Sequence, residues 1–243
     1  STETPLTLDR LGLSEPMLTW LRTFSDGNDG TVVVAGPTGS GRKTTLYALL
    51  ESMDVYVRNI GTLESEPPLR RLATINQTPL DGTRTRKPTE ILTDMFRQDY
   101  NVVMVDRAPD VETVRLCLEQ SLDEHLILLG LDTPDVTATL AALMKLTPDR
   151  TTLSHALRGL LSQRLVRVLC RECRKPFVPG PEVLAKLGMK PGEQGVRFYE
   201  ETGCEKCFNT GFAGRTGIFG FLPVTDAVKR KLAAGAPVSE VIA

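Results

Sequence analysis

The sequence predicts an α/β fold, a mainly parallel sheet with helices on both faces, followed by a small metal-binding module and a helical tail. Three observations carry this prediction. Short apolar runs alternate with stretches of helical periodicity, the pattern of a parallel sheet covered on both sides. The run Thr31-Val32-Val33-Val34-Ala35 enters Gly36-Pro37-Thr38-Gly39-Ser40-Gly41-Arg42-Lys43-Thr44-Thr45 and leaves as Leu46-Tyr47-Ala48-Leu49-Leu50. Strand, glycine loop and helix in that order are the setting of a phosphate-binding P-loop. Four of the five cysteines form two CxxC pairs near the end of the chain.

Taken in order, residues 1–28 read as an amphipathic lead-in. Leu11, Leu13, Met17, Leu18, Leu21 and Phe24 recur at helical spacing, and Ser14-Glu15-Pro16 is a helix start. Residues 29–165 read as the α/β domain. Asn28-Asp29-Gly30 turns into the first strand, the glycine loop and its helix follow, and Asp54–Ile60 is expected as a second strand. Ala73–Gln77 is expected as an edge strand and 88–98 as a helix. Asn101–Asp106 and Leu126–Leu131 are buried-strand runs. Helices are expected over Val111–Leu122 and about 135–146. Leu153–Leu169 is expected as a long helix. Residues 166–243 hold the cysteine module, and one or two short helices are expected from about 224.

Composition narrows the function classes. The chain has 243 residues, 41% of them hydrophobic, and a net charge of -1. That is room for one α/β domain and a small appendage. It gives no basic excess for general nucleic-acid binding. No apolar run approaches the roughly 20 residues of a membrane span, and no leader marks the chain for secretion. It opens on Ser1 instead of Met, as a fragment of a longer protein does.

Cys170/Cys173 and Cys204/Cys207 are two CxxC knuckles with 30 residues between them (174–203). Four thiolates complete the tetrahedron that zinc prefers, so the expectation is a structural zinc site. The alternatives are reduced thiols or a redox pair, although a redox CxxC needs only one pair and opens a helix beside a strand. Cys117 lies on a helical apolar face and is expected in the core.

The glycine loop departs from the phosphate-binding pattern at its last two positions. The pattern requires Gly-Lys-Ser/Thr, and here Gly41 is followed by Arg42 and Lys43. The plainer reading of the loop is a tight βα turn that serves packing alone. Asp106 ends an apolar strand in the manner of a Mg²⁺-holding acid. His125 precedes another strand and reads as a hydrogen-bonded structural residue before a catalyst.

Together these residues resemble the hexameric ATPases that drive type II secretion and type IV pilus assembly. The resemblance rests on Gly36–Gly41 with Thr45-Leu46-Tyr47, on Arg97-Gln98-Asp99, and on Glu124-His125-Leu126. It rests further on Gln163-Arg164-Leu165-Val166-Arg167 with the CxxC that follows, and on Gly203-Cys204-Glu205-Lys206-Cys207 before Gly214-Arg215-Thr216-Gly217-Ile218. It covers nearly the whole chain, but only the family's C-terminal motor domain. It implies a RecA-like P-loop NTPase core with a zinc module. ATP with Mg²⁺ would bind at residues 36–45, and Glu64, Asp106 and His125 are the remnants of catalytic positions. It also implies a hexamer or an assembly with an active paralogue, platform proteins of the inner membrane as partners, and a cytoplasmic location peripheral to that membrane.

The departures fall where the family's chemistry sits. Arg42 and Lys43 replace the phosphate-binding Lys and the Mg²⁺-binding hydroxyl. Glu64-Ser65-Glu66 keeps one of two adjacent acids, Arg107 stands at the catalytic glutamate, and Asp132 stands at the second histidine of a pair. Arg107 cannot act as a base, because a guanidinium stays protonated. These changes point to a non-catalytic subunit or scaffold. Two other readings stay open. One is an active ATPase in which Asp106 holds Mg²⁺, Thr44 supplies a hydroxyl and Glu64 orients water. The other is a module that binds nucleotide without cleaving it, with Arg42 and Lys43 neutralising phosphate. Arg84, Arg86 and Lys87 read either as a solvated loop or as facing a neighbouring subunit's nucleotide. Arg164 and Arg167, at helical spacing, are expected to partner acids.

Overall fold

The computed structural model describes residues 6–65, 67–80, 86–189 and 197–243. Glu66 and Arg84 lie outside them. The chain forms two compact units. One runs to Arg164 and resumes over Gly217–Ala243; the other is Leu165–Thr216.

The first unit opens with α1 (Glu15–Asp26), which has Pro16 in its first turn, where a missing N–H costs nothing. β1 (Gly30–Ala35) leads through the glycine loop into α2 (Arg42–Glu51). β2 (Ile60–Glu64) and the short β3 (Asn76–Pro79) follow. Next come α3 (Pro88–Arg97), β4 (Val102–Val105), α4 (Val111–Gln120) and β5 (Leu126–Leu131). Asp110 caps α4 by accepting from the Thr113 N–H, and Asp135 caps α5 (Val136–Leu146) through the Ala138 N–H. α6 (Arg150–Ala156) runs directly into β6 (Leu157–Leu169).

The strands join in the order β3-β2-β4-β5-β1-β6, and β9 (Phe212–Pro223) lies outside β6. Every pair from β3 through to β6 is parallel. Successive side chains alternate between two apolar clusters. Val33, Val103, Val105, Ile127 and Leu129 enter one, with residues of α3, α4, α5 and α6. Val32, Val34, Met104, Leu126 and Leu128 enter the other, with residues of α1 and α2. A strand buried on both faces must be apolar throughout, which explains the unbroken runs in the sequence.

Three expectations require correction. The second strand is Ile60–Glu64, not Asp54–Ile60: Tyr56 and Val57 are 92% and 73% exposed, whereas a central strand has to be buried. The edge strand is Asn76–Pro79, shifted from Ala73–Gln77, and Pro79 is tolerated because an edge strand has one side without a partner. Most of the expected helix Leu153–Leu169 is β6. Leu153, Leu157, Leu160 and Leu161 mimic helical spacing, but β1 requires a parallel partner and β6 supplies it. Gly159 sits in that strand because a Cβ there would lie 2.5 Å from the Trp20 ring. Among the described residues, Arg164 and Arg167 therefore pair with no acid. Arg164 donates to the Pro134 carbonyl, and Arg167 lies 3.7 Å over the Phe212 ring.

The second unit contains β7 (Lys175–Phe177), α7 (Pro181–Lys186) and β8 (Phe198–Glu200), with β7 and β8 antiparallel. Among the described residues, neither apolar cluster includes any from this unit. After β9 the chain ends in α8 (Asp226–Ala233) and α9 (Val238–Val241).

Candidate functional site

The carboxyl ends of the parallel strands carry the candidate site, as ligand sites of open α/β sheets do. Glu64 ends β2 and Asp106 follows β4, one step beyond the registered pair Leu63 and Val105. The two acids therefore sit side by side. The glycine loop follows β1, and Asp132 follows β5, the strand between β4 and β1. Gly41, in the left-handed region at φ 86°, turns the loop into α2, and the Thr45 N–H donates to its carbonyl. Gln163 of β6 donates to the Ser40 carbonyl at 2.8 Å and steadies the loop.

The two substituted residues of the loop have separate fates. The Lys43 ammonium lies 2.8 Å from Glu64 Oε2 and 3.3 Å from Asp106 Oδ2, and donates to the Pro67 carbonyl at 3.1 Å. Both acids are buried. Asp106 also accepts from the Ser65 N–H at 2.8 Å. Around Glu64 the Tyr47 hydroxyl, Thr62 hydroxyl and Gln77 amide donate at 2.7, 2.9 and 3.1 Å. Burial alone would raise the Glu64 carboxyl. The Lys43 ammonium, then Tyr47, Thr62 and Gln77, outweigh that and hold it below its ordinary 4.5. Burial, and then the hydrogen bond to Glu64, push Tyr47 well above the ordinary phenol range.

Arg42 turns to the other side of the loop. Its Nη1 donates to the carbonyls of Gly36 at 2.5 Å and Leu131 at 3.0 Å, and pairs with Asp132 Oδ1; its Nε lies 3.3 Å from the Asp106 carbonyl. Arg107 Nε pairs with the other oxygen of Asp132 at 2.5 Å. Four of the five substituted positions and the two acids thus form two linked groups, Lys43 with Glu64 and Asp106, and Asp132 with Arg42 and Arg107.

Mg²⁺ does not fit this arrangement. It needs carboxylate oxygens at about 2.0–2.1 Å, and the Lys43 ammonium already lies between the two acids. His125 is elsewhere, at the opposite end of β5 from Asp132. Its Nδ1 is 3.1 Å from the Gln120 carbonyl and its ring meets Phe96 edge-on. Arg86 pairs with Asp94, and the Lys87 N–H donates to Glu90 at 3.1 Å, where α3 begins.

Sequence reasoning missed Gln77, Thr62 and Gly130. The first two are ordinary polar residues with no motif. Gly130 left a faint signal as the lone glycine in an apolar strand. A Cβ there would lie 1.8 Å from the Asp106 carbonyl oxygen and 3.2 Å from Arg42 Nε. Gly130→Ala must therefore push β5 from β4 and displace Arg42. The expected loss is on the order of 3 kcal/mol, read from urea unfolding.

In the second unit, the four thiol sulfurs of Cys170, Cys173, Cys204 and Cys207 lie within 4.8 Å of one another and can hold a metal ion. Three of the separations are 3.9 Å (Cys170 to Cys204), 3.8 Å (Cys173 to Cys207) and 3.8 Å (Cys204 to Cys207). A tetrahedron with metal–sulfur bonds of about 2.3 Å has edges of about 3.8 Å. Disulfides would need about 2.05 Å. The N–H groups of Cys204 and Gly211 point at Cys207 Sγ, at 3.2 and 3.3 Å. Burial would push this thiol up, but those N–H donors and the neighbouring thiols bring it down to about 6. Cys117 lies apart in the core, where burial pushes its thiol up to about 12.

Residues 1–242 match the family described as type II/IV secretion system protein. Type II secretion system protein E of Dickeya dadantii is 38% identical over 224 residues, 92% of this chain and 44% of that protein. The type IV pilus assembly ATPase PilB of Thermus thermophilus is 34% identical over 213 residues, 87% of this chain and 24% of its own. The chain thus spans less than half the length of these relatives. Solved structures share the fold, two of them as follows. The pilus retraction motor PilT with bound ADP has a TM-score of 0.68 at 20% identity, over 99% of this chain and 59% of its own. The Legionella pneumophila ATPase DotB has a TM-score of 0.68 at 18% identity, over 98% and 56%. With a family match over nearly its whole length, the chain belongs to the type II/IV secretion system protein family.

Proposed function

We propose that this chain is a non-hydrolysing motor-domain subunit, a scaffold in a type II secretion or type IV pilus-assembly machine. One observation carries the proposal: the Lys43 ammonium sits between Glu64 and Asp106, the two acids that would have to hold Mg²⁺. Phosphoryl transfer depends on Mg²⁺, on a Lys that neutralises the phosphates and on a group that orients water. Here the metal's acids are engaged by Lys43, Arg42 is drawn to Asp132, and Arg107 cannot act as a base. Losing one such group costs about 10²–10⁴ in rate. The subunit would contribute interfaces to a hexamer or to a mixed ring with an active paralogue, at the cytoplasmic side of an inner-membrane platform. In the second unit Cys170, Cys173, Cys204 and Cys207 would hold a structural zinc ion, which matches the family resemblance and the sulfur spacing. No helix among the described residues is long and apolar enough to cross a membrane.

The test is calorimetry with ATP, with and without Mg²⁺, beside a phosphate-release assay, on zinc-loaded protein. The expected result is no Mg²⁺-dependent heat and no phosphate release at millimolar ATP. Binding that strengthens with Mg²⁺, together with turnover, would overturn the proposal and favour an active ATPase with a rearranged site.

A further inference from the structure

Among the described residues, cations and carboxylates pair at the carboxyl end of the sheet. Arg42, Lys43 and Arg107 bring three cations, and Glu64, Asp106 and Asp132 bring three carboxylates. Each charge meets an opposite charge of this same chain. Lys43 supplies the positive charge between two acids. Asp132 supplies the matching negative charge, and its two oxygens divide between two arginines. Oδ1 meets Arg42 beside the Gly36 carbonyl, and Oδ2 meets Arg107 at 2.5 Å.

A carboxylate shared by two guanidiniums is what a phosphate group presents to an arginine clamp. The Arg42 side chain is only 11% exposed and so is withdrawn from competing solvent. Asp132 is 31% and Arg107 48% exposed, so the pair with Arg107 is the weaker and more salt-sensitive one. Position matters as much as charge. Arg42 opens α2, whose N-terminus favours negative charge, and Asp132 brings that charge from β5.

We propose that Asp132 is an autoinhibitory plug: its carboxylate occupies, from within the chain, the anion position that Arg42 and Arg107 would otherwise offer to a polyphosphate. The proposal deepens the non-hydrolysing reading, naming what keeps phosphate from the loop once Lys43 has displaced the metal. It has a direct consequence. Removing the Asp132 charge leaves two guanidiniums with no shared acid and creates a metal-free polyphosphate site.

The test uses inorganic tripolyphosphate in EDTA, with binding followed by thermal shift and calorimetry on the full chain. A ligand that binds only the folded protein raises its Tm. Wild-type protein should show no shift at millimolar tripolyphosphate. Asp132→Asn should bind at least tenfold more tightly, with a saturable rise in Tm. Adding Arg42→Gln to that variant should abolish the gain. Asp132→Ser gives the same readout if the Asn variant folds poorly. Submillimolar binding of tripolyphosphate by wild-type protein would overturn the plug without any variant. So would a charge-removed variant that folds and gains nothing, or a gain that survives Arg42→Gln. These failures are separate from turnover of Mg²⁺-ATP, which would instead overturn the non-hydrolysing reading.

Discussion

Lys43→Met should destabilise the protein by about 3–5 kcal/mol, the usual consequence of removing one partner from a buried charge pair. Glu64 is fully buried and Asp106 nearly so, and Lys43 is the cation between them. Without it, two carboxylates face each other in a poorly solvated space while Tyr47, Thr62 and Gln77 still donate to Glu64. Urea unfolding at neutral pH measures the loss. Its pH dependence identifies the cause. In the wild-type protein the Glu64 carboxyl is held below its ordinary 4.5. Its stabilising contribution is therefore complete above that value and is lost as pH falls through the lower, folded value. In the variant, burial and like charge favour the protonated form of one acid, so acid relieves it. The difference between the two proteins should narrow as pH falls towards 4.5 and below. Lys43→Ser should behave alike but regain stability with millimolar Mg²⁺, which wild-type protein should ignore. A constant gap at all pH values, or no effect of the substitution, would show that Lys43 is not the balancing cation.

Metal removal should unfold the second unit and leave the first largely intact. Among the described residues, Leu165–Thr216 contributes nothing to either apolar cluster. Its internal order rests on Cys170 and Cys207, both buried, and on bonds such as Cys170 N–H to Gly211 O at 2.9 Å. A unit of this size without an apolar core needs a staple, and a bound metal makes its binding energy part of the folding energy. Purified protein should carry one zinc per chain by elemental analysis. A strong chelator, or Cys207→Ser, should bring fast amide exchange and proteolytic cleavage within 165–216, while β1, β4 and β5 stay protected. Unchanged protection after chelation would show that the thiols hold no structural metal.

The parts of this protein legible in the sequence are those governed by local periodicity and local chemistry. Leu126–Leu131 is the strand that its apolar run announces, and α3, α4 and α5 begin and end within two residues of their expected positions. The glycine loop announces strand, turn and helix, because left-handed glycines and a following apolar run leave few other conformations. The four cysteines announce their cluster by spacing alone. The anomalies at Arg42, Lys43, Arg107 and Asp132 are equally visible as departures from a pattern.

What those anomalies do to one another was decided by strand order. Residues 43, 64 and 106 meet because β2 and β4 are neighbours and end together beside the loop after β1. Residues 42, 107 and 132 meet because β5 runs between β4 and β1, and because Gly130 leaves room for the close approach. The same pairing overrode the helical spacing of Leu157–Leu161, since the exposed edge of β1 needs hydrogen-bond partners that a helix cannot supply. Sequence determined which charges were exchanged. Only the tertiary structure decided their partners, by placing Arg42, Lys43 and Arg107 within reach of acids that end neighbouring strands.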